Sequence, residues 1–377
     1  MHGHTAGIWS IIQERFEEAL YPPSLTLVVP PPGRFLPWAT APDSATHFIL
    51  PDLISHCTFK LRISRHRKQV TNETKRWLFQ GGNLVGKDRD SYHGLNAGLL
   101  TAMTYPGASC TQLRACNDFL TFLFFYDNIS DEMEKRSATE AADVVLNALY
   151  HPYSYSSPTR VGRLACDLYK RILKTTSPGT QQRFLETMDF FFQSVTQQAV
   201  DRAAGFIPDL ESYIALRRDT SGCKPCWAFI EFANNLNLPD EVMDHPVIRS
   251  LGEATNDLVT WSNDIFSYSV EQSKGHTHNM ISVVMNQEGL DLQSAVDFVG
   301  RLCKESIDRF NQDRANVPSW GPKIDEEVSI YVNGLADWIV GSLHWSFETE
   351  RYFGKSGKEV KTTHVVKLLP RRPSRRN

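Results

Sequence analysis

The chain has 377 residues, of which 41% are hydrophobic and 11% aromatic, and its formal net charge is −3. This composition can bury one large core, and the nearly neutral charge disfavours a nucleic-acid partner. The seven scattered cysteines do not form the pattern of a disulfide framework, and no apolar run is long enough to span a membrane. Since no signal peptide is evident, we expect a cytoplasmic enzyme.

The chain changes character near residue 48. Residues 1–47 contain seven prolines, which break helices, so we expect a proline-rich lead that is partly disordered. Beyond it, apolar residues recur every three to four positions, as on amphipathic helices. The clearest predicted helices are 109–128, 178–203, 245–273, 290–316 and 326–352. The pattern predicts one all-α domain over 48–353, a helical bundle around a central cavity, followed by a basic tail over 354–377.

An acidic cluster closes an aromatic-rich predicted helix. It reads Asp127-Asn128-Ile129-Ser130-Asp131-Glu132. Asp127 and Asp131 share a helix face, where like charges repel unless a cation or solvent screens them. Carboxylates at a helix C-terminus also oppose the helix dipole. A solvated helix end is the simpler interpretation, but a divalent metal would explain the cluster better. An EF-hand is excluded because its glycine and final glutamate are missing.

A second polar motif lies on the predicted helix 245–273. Asn263, Ser267 and Glu271 are spaced four residues apart, so they lie within about 80° of each other on one helix face. Amide, hydroxyl and carboxylate oxygens suit Mg²⁺ better than zinc or copper. Lys274 follows on the same face, which indicates a phosphorylated substrate. Asp264 points about 100° away and is interpreted as a structural residue or a helper, not as a ligand.

Two further features have ordinary interpretations. Cys223 and Cys226 form a lone C-x-x-C without a second pair at zinc spacing, so we expect two half-buried thiols. His276 and His278 follow Lys274, and because imidazole is a poor ligand for Mg²⁺ we expect them to be exposed loop residues.

In combination, these motifs resemble the class I terpene synthases, in particular the microbial, mainly fungal, sesquiterpene cyclases. D-N-x-x-D is followed 136 residues later by N-D-x-x-S-x-x-x-E. The segment 213–222 resembles the Y-x-x-x-R-R-x-T-x-G segment of that family, which carries its diphosphate-sensing arginine. Arg351 and Tyr352 resemble the family's C-terminal Arg-Tyr pair. The resemblance covers about 48–353, and the asparagine in D-N-x-x-D departs from the usual D-D-x-x-D at a position that varies in the family.

The resemblance implies a metal site and a diphosphate site with three Mg²⁺ ions, for which Mn²⁺ can substitute. The implied metal ligands are Asp127, Asn263, Ser267 and Glu271, with Asp131 supporting them. The implied diphosphate donors are Lys274, Arg351, Tyr352 and either Arg217 or Arg218. The implied cavity residues are Phe124, Trp345 and, through its backbone, Gly222.

The implied activity is ionisation of farnesyl diphosphate and cyclisation of the resulting carbocation to a sesquiterpene hydrocarbon or alcohol. The implied partner is a small isoprenoid diphosphate, and the family suggests a homodimer. Three alternatives stay open: a diterpene cyclase, a prenyl diphosphate synthase of the same fold, and a noncatalytic binder of an isoprenoid diphosphate. A chain-elongating enzyme is disfavoured. That family resembles two D-D-x-x-D motifs, one on each wall, whereas this chain has Asn, Ser and Glu on the second wall.

Overall fold

The computed structural model describes residues 45–82, 86–130 and 135–371. Most of the predicted N-terminal lead, and the predicted supporting residue Asp131, lie outside these ranges. The regular secondary structure of the described chain is almost entirely helical, which confirms the all-α prediction. Within the same ranges, no helix combines the length and the apolar character that crossing a membrane requires.

The helices follow one another with short connections. In chain order the elements are β1 (His47–Ile49), α1 (Arg67–Gly82), α2 (Lys87–Leu95), α3 (Ala97–Thr104), α4 (Cys110–Ser130), α5 (Lys135–Tyr150), α6 (Arg160–Ile172), α7 (Pro178–Ala204), α8 (Leu210–Thr220), α9 (Cys223–Asn234), α10 (Asp240–Met243), α11 (Pro246–Lys274), α12 (Met280–Glu288), α13 (Leu292–Ala315), α14 (Pro322–Trp345), α15 (Glu350–Phe353), α16 (Gly357–Thr363) and β2 (Val365–Lys367). A 3₁₀ turn over Gly354–Ser356 joins α15 to α16.

The long helices pack around a central space. Helix α11 packs along α13 on one side and contacts α14 on another, while α14 also packs against α3. Helix α9 contacts α4, α7 and α14. The apolar faces meet in aromatic clusters, such as the parallel stack of Phe119 on Phe229 with ring centroids 4.3 Å apart. Burial of such faces is the main favourable contribution to folding, and it leaves the polar motifs facing the central space.

Several helices begin where proline and capping residues predict. Helix α7 has Pro178 in its first turn, and the Ser177 hydroxyl accepts a hydrogen bond from the Thr180 amide at 3.2 Å. Pro246 and Pro322 occupy the first turns of α11 and α14. Proline fits there because its missing N–H would have no partner within the helix.

The predicted helix 326–352 is wrong in one respect, because the structure divides it. Helix α14 ends at Trp345, and the amide of Thr349 donates to the Trp345 carbonyl at 3.0 Å. The Thr349 hydroxyl then caps a new helix, α15, by accepting from the Arg351 amide at 3.2 Å. Arg351 and Tyr352 therefore lie on a separate short helix.

The chain beyond residue 353 differs from the predicted tail. Strand β2 pairs antiparallel with β1, with residue 367 opposite residue 47. The segment also contacts α11: the Ser269 hydroxyl donates to the Lys367 carbonyl at 3.0 Å, and Gln272 Nε2 donates to the Leu369 carbonyl at 2.7 Å. As far as Leu369, this segment is therefore part of the folded domain.

Candidate active site

A cavity of about 340 Å³ opens among α4, α7, α8, α9, α11 and α14. Its apolar lining includes Leu100, Leu120, Phe124, Phe191, Trp338 and Trp345. Its polar lining includes Asp127, Arg217, Asn263, Glu271, Arg351 and Tyr352. A chamber with apolar walls and convergent charged groups is the usual form of a small-molecule site.

One wall of the cavity is the polar face of α11. Asn263 and Glu271 line the cavity, and Ser267 lies between them, one turn from each. The Ser267 hydroxyl is buried and makes no hydrogen bond of normal geometry to the described residues. Burial raises the pKa of Glu271, and the nearby Asp264 carboxylate adds to the effect. A buried hydroxyl beside a buried carboxylate of raised pKa offers two hard oxygen atoms, which fit a hard cation.

The opposite wall is the C-terminal end of α4. Asp127 Oδ2 accepts a hydrogen bond from Arg351 Nη2 at 2.7 Å. Burial alone would lower the pKa of Arg351, but the Asp127 carboxylate raises it above its ordinary value. The same guanidinium lies 5.3 Å from the ring centroid of Phe124, a cation–π arrangement.

Helix α15 connects these two walls. Arg351 contacts Asp127 on α4, and the hydroxyl of the next residue, Tyr352, accepts a hydrogen bond from Asn263 Nδ2 on α11 at 2.7 Å. Two candidate diphosphate donors are thereby held against two candidate metal ligands. The turn that ends α14 is what makes this bridge possible.

Arg217 on α8 also belongs to this network. Its Nη2 donates to Asn263 Oδ1 at 2.9 Å and to Asp264 Oδ1 at 3.0 Å. Asp264 is buried and also accepts from the Tyr213 hydroxyl and, at 3.1 Å, from the Met280 amide. These contacts agree with the interpretation of Asp264 as a helper, because it holds the guanidinium at the cavity wall.

Arg218 points elsewhere, although sequence alone left it open beside Arg217. Its Nε and Nη2 donate to Asp257 Oδ1 and Oδ2 at 2.7 and 2.8 Å, a bidentate pair buried behind α8. Arg309 also donates to Asp257 Oδ2 at 2.8 Å. The two arginines lower the pKa of Asp257 although burial opposes them. The assignment of Arg218 to the diphosphate site is therefore corrected to a structural ion pair.

Replacing Arg218 with methionine is expected to lower the free energy of unfolding by about 3 kcal/mol, because Asp257 would lose one of its buried cationic partners. Turnover per folded molecule should stay within about threefold of the original chain, because Arg218 lies outside the cavity lining. Thermal unfolding and active-site-normalised kinetics check both values. A variant with unchanged stability but lost turnover would contradict this placement. Arg217→Met is the matched comparison: it also leaves a buried carboxylate, Asp264, without its arginine, but it is expected to lose turnover as well as stability.

The remaining predicted residues divide into two groups. Phe124 and Trp345 both line the cavity with ring centroids 5.7 Å apart, and Trp345 Nε1 donates to the Leu95 carbonyl at 3.1 Å. Gly222 also lines it and adopts φ 69°, the left-handed region that favours glycine. Lys274 instead lies at the exposed C-terminal end of α11, before the cavity-lining Gly275.

The expectation of exposed histidines is wrong. His276 and His278 are both half-buried and line the cavity. The loop folds back because Gly275 ends α11 at φ 79° and the His276 amide donates to the Glu271 carbonyl at 3.0 Å. Asn279 then anchors the loop by donating from Nδ2 to Glu271 Oε2 at 3.0 Å. The signal that could have indicated this is Asn279, a good capping residue directly before α12.

The cysteines offer no competing metal site. Cys223 and Cys226 are free and buried, deeper than the half-burial expected, and burial raises the pKa of Cys223 to about 11. Among residues 45–82, 86–130 and 135–371, no group of three or more His, Cys, Asp and Glu side chains is placed to hold a metal ion. A metal site here would therefore use the amide and hydroxyl oxygens of α11 together with carboxylates.

Comparisons with known proteins agree with this geometry. Residues 118–309 match the family model described as terpene synthase family 2, C-terminal metal binding. A sesquiterpene synthase from Cyclocybe aegerita is 71% identical over 335 residues, covering 89% of this chain and 97% of that protein. An alpha-muurolene synthase from Coprinopsis cinerea is 53% identical over 339 residues, covering 88% and 80%.

Solved structures are similar in fold. Germacradien-4-ol synthase from Streptomyces citricolor superposes with a TM-score of 0.69 at 25% identity, covering 77% of this chain and 96% of that one. An a-eudesmol synthase superposes with a TM-score of 0.71 at 20% identity, covering 78% and 98%, a likeness of fold alone.

Proposed function

The chain belongs to the terpene synthase family, and from that premise we propose that it ionises farnesyl diphosphate with Mg²⁺ and cyclises the resulting carbocation to a sesquiterpene hydrocarbon or alcohol. The names of its relatives support a C15 substrate. The observation that carries the proposal is the hydrogen-bonded set that joins Asp127, Arg351, Tyr352, Asn263 and Arg217 across one cavity.

The proposed metal ligands are Asp127 on one wall and Asn263, Ser267 and Glu271 on the other. They fit Mg²⁺ because all offer hard oxygen donors and because burial raises the pKa of Glu271 in the metal-free protein, a cost that a bound cation would offset. Three ions are proposed, as in the resembled family. When bound, they stabilise the negative charge that develops on the departing diphosphate.

The chain's own donors would bind the diphosphate. Arg217 and Arg351 lie at the cavity wall and can donate guanidinium N–H groups to its oxygens, and Tyr352 can donate its hydroxyl. Lys274 would contribute as a point charge from the exposed end of α11. The C1–O bond breaks with its electron pair going to the diphosphate, which leaves an allylic cation in the cavity.

The apolar lining would protect that cation from water. Phe124 and Trp345 present aromatic rings to the cavity, and such faces stabilise a desolvated cation by about 2 kcal/mol. The left-handed Gly222 lets the backbone after Arg217 approach the same space. The cascade ends when a carbon-bound proton leaves, giving an alkene, or when water adds, giving an alcohol.

Incubation of the purified chain with farnesyl diphosphate is expected to give a cyclic C15 product with Mg²⁺ and none with EDTA, as measured by gas chromatography–mass spectrometry. The reason is that ionisation needs the metals at the leaving group. Parallel reactions with geranylgeranyl diphosphate, and with farnesyl plus isopentenyl diphosphate, test the diterpene cyclase and the chain-elongating enzyme. Binding of farnesyl diphosphate without any product would instead indicate a noncatalytic binder and contradict the proposal.

A further inference from the structure

His278 lies in the loop between α11 and α12 and lines the cavity, but none of the motifs gives it a role. Its Nε2 is buried and has no hydrogen-bond partner among the residues that the structure describes. Buried side-chain nitrogens are nearly always partnered in folded proteins, so an exception at a cavity wall calls for a ligand.

The imidazole is held in place by its neighbours. Its ring centroid lies 4.9 Å from that of Tyr213, with the planes tilted by 53°. Tyr213 in turn donates to Asp264, the carboxylate that holds Arg217. The following residue, Asn279, is fixed by its hydrogen bond to the Asp264 carbonyl at 2.8 Å as well as by the one to Glu271. A side chain held this firmly can orient a donor for a ligand.

The charge state of the ring limits what it can bind. Burial lowers the pKa of His278 to about 3, with further lowering by Arg217 and Arg202, so the imidazole is neutral at neutral pH. A neutral imidazole has one N–H donor and one acceptor nitrogen. The acceptor is a poor ligand for Mg²⁺, whereas the donor suits an anionic oxygen beside Arg217.

On the basis of the function proposed above, we propose that His278 Nε2 donates a hydrogen bond to a diphosphate oxygen of the bound substrate, as an uncharged companion to Arg217. The contact satisfies the orphaned nitrogen and adds affinity for the anion without another buried positive charge. His278 is then a binding residue of the diphosphate site, and its imidazole is in the tautomer that carries the hydrogen on Nε2.

Two substitutions separate the hydrogen bond from the ring. His278→Phe keeps an aromatic ring against Tyr213 but has no donor, so the KM for farnesyl diphosphate and the inhibition constant of inorganic diphosphate should both rise about tenfold or more. His278→Gln loses the ring but carries an N–H at similar reach, so both constants should stay within about threefold of the original. The exposed His151→Gln is the matched control.

The outcomes are distinguishable. Unchanged constants in His278→Phe would overturn the proposal, because the donor would then not be needed. A Gln variant that fails as badly as Phe would also overturn it, because an N–H at that position would then not restore binding. Thermal unfolding checks that each variant folds, and His278→Ala replaces Phe if that variant does not. Titration of inorganic diphosphate with Mg²⁺ by calorimetry measures the same contact without turnover, so it stays informative even if the original chain makes no C15 product.

Discussion

Replacing Glu271 with glutamine is expected to reduce kcat/KM for farnesyl diphosphate about a thousandfold, because it removes the charge of a proposed metal ligand while keeping the side chain's shape. The stability of the metal-free protein should not fall in this variant. Since burial raises the native-state pKa of Glu271 above its unfolded value, its ionised form destabilises the metal-free protein increasingly as pH rises through that pKa. In EDTA at neutral pH, the variant should therefore unfold at the same temperature as the original chain or higher.

Steady-state kinetics and thermal unfolding with and without Mg²⁺ measure both effects. The original chain should gain thermal stability from Mg²⁺ and diphosphate together, and Glu271→Gln should gain much less. Glu241→Gln, at an exposed position on α10, is the matched control. A Gln variant that keeps full turnover would show that Glu271 is not a metal ligand.

Replacing Arg351 with methionine is expected to lower kcat by a factor of about 10² to 10³, the usual loss when a donor to a departing anion is removed. Arg351→Lys keeps the charge but loses the fork, so we expect an intermediate loss of about tenfold or more. Single-turnover product formation gives the size of each effect at the chemical step.

The Arg351 experiment has a second readout, the ratio of products. The guanidinium contacts Asp127 and the ring of Phe124, so the methionine variant should also change the ratio of products if it alters the cavity wall. Arg249→Met, in an exposed ion pair near the start of α11, is the control and should change neither quantity. An Arg351 variant that loses stability but keeps kcat would place this arginine in the fold only.

The shared polar face of α11 was predictable because its geometry is local. Asn263, Ser267 and Glu271 lie on one uninterrupted helix, so their shared face follows from helical spacing. The choice between Arg217 and Arg218 was not predictable, because adjacent helical residues point about 100° apart and only the partners decide. Those partners both lie on α11: Asp264 is 47 residues after Arg217, and Asp257 is 39 residues after Arg218.

The loops were harder to predict than the helices. The division between α14 and α15 depends on the capping hydroxyl of Thr349, a local signal that apolar spacing does not reveal. The burial of His278 depends on Asn279, whose partners lie 8 and 15 residues earlier in the chain. The pairing of β2 with β1 joins segments more than 300 residues apart, and a three-residue strand leaves almost no alternation to detect.

The pairing of β1 with β2 also brings the beginning and the end of the described domain together, since residues 47 and 367 lie opposite each other. A short linker could join the chain there. New ends could then be opened at an exposed connection such as the one around Tyr153, whose side chain is 73% exposed. The domain is thus a candidate for circular permutation, with both ends moved to an exposed connection whose residues do not line the pocket.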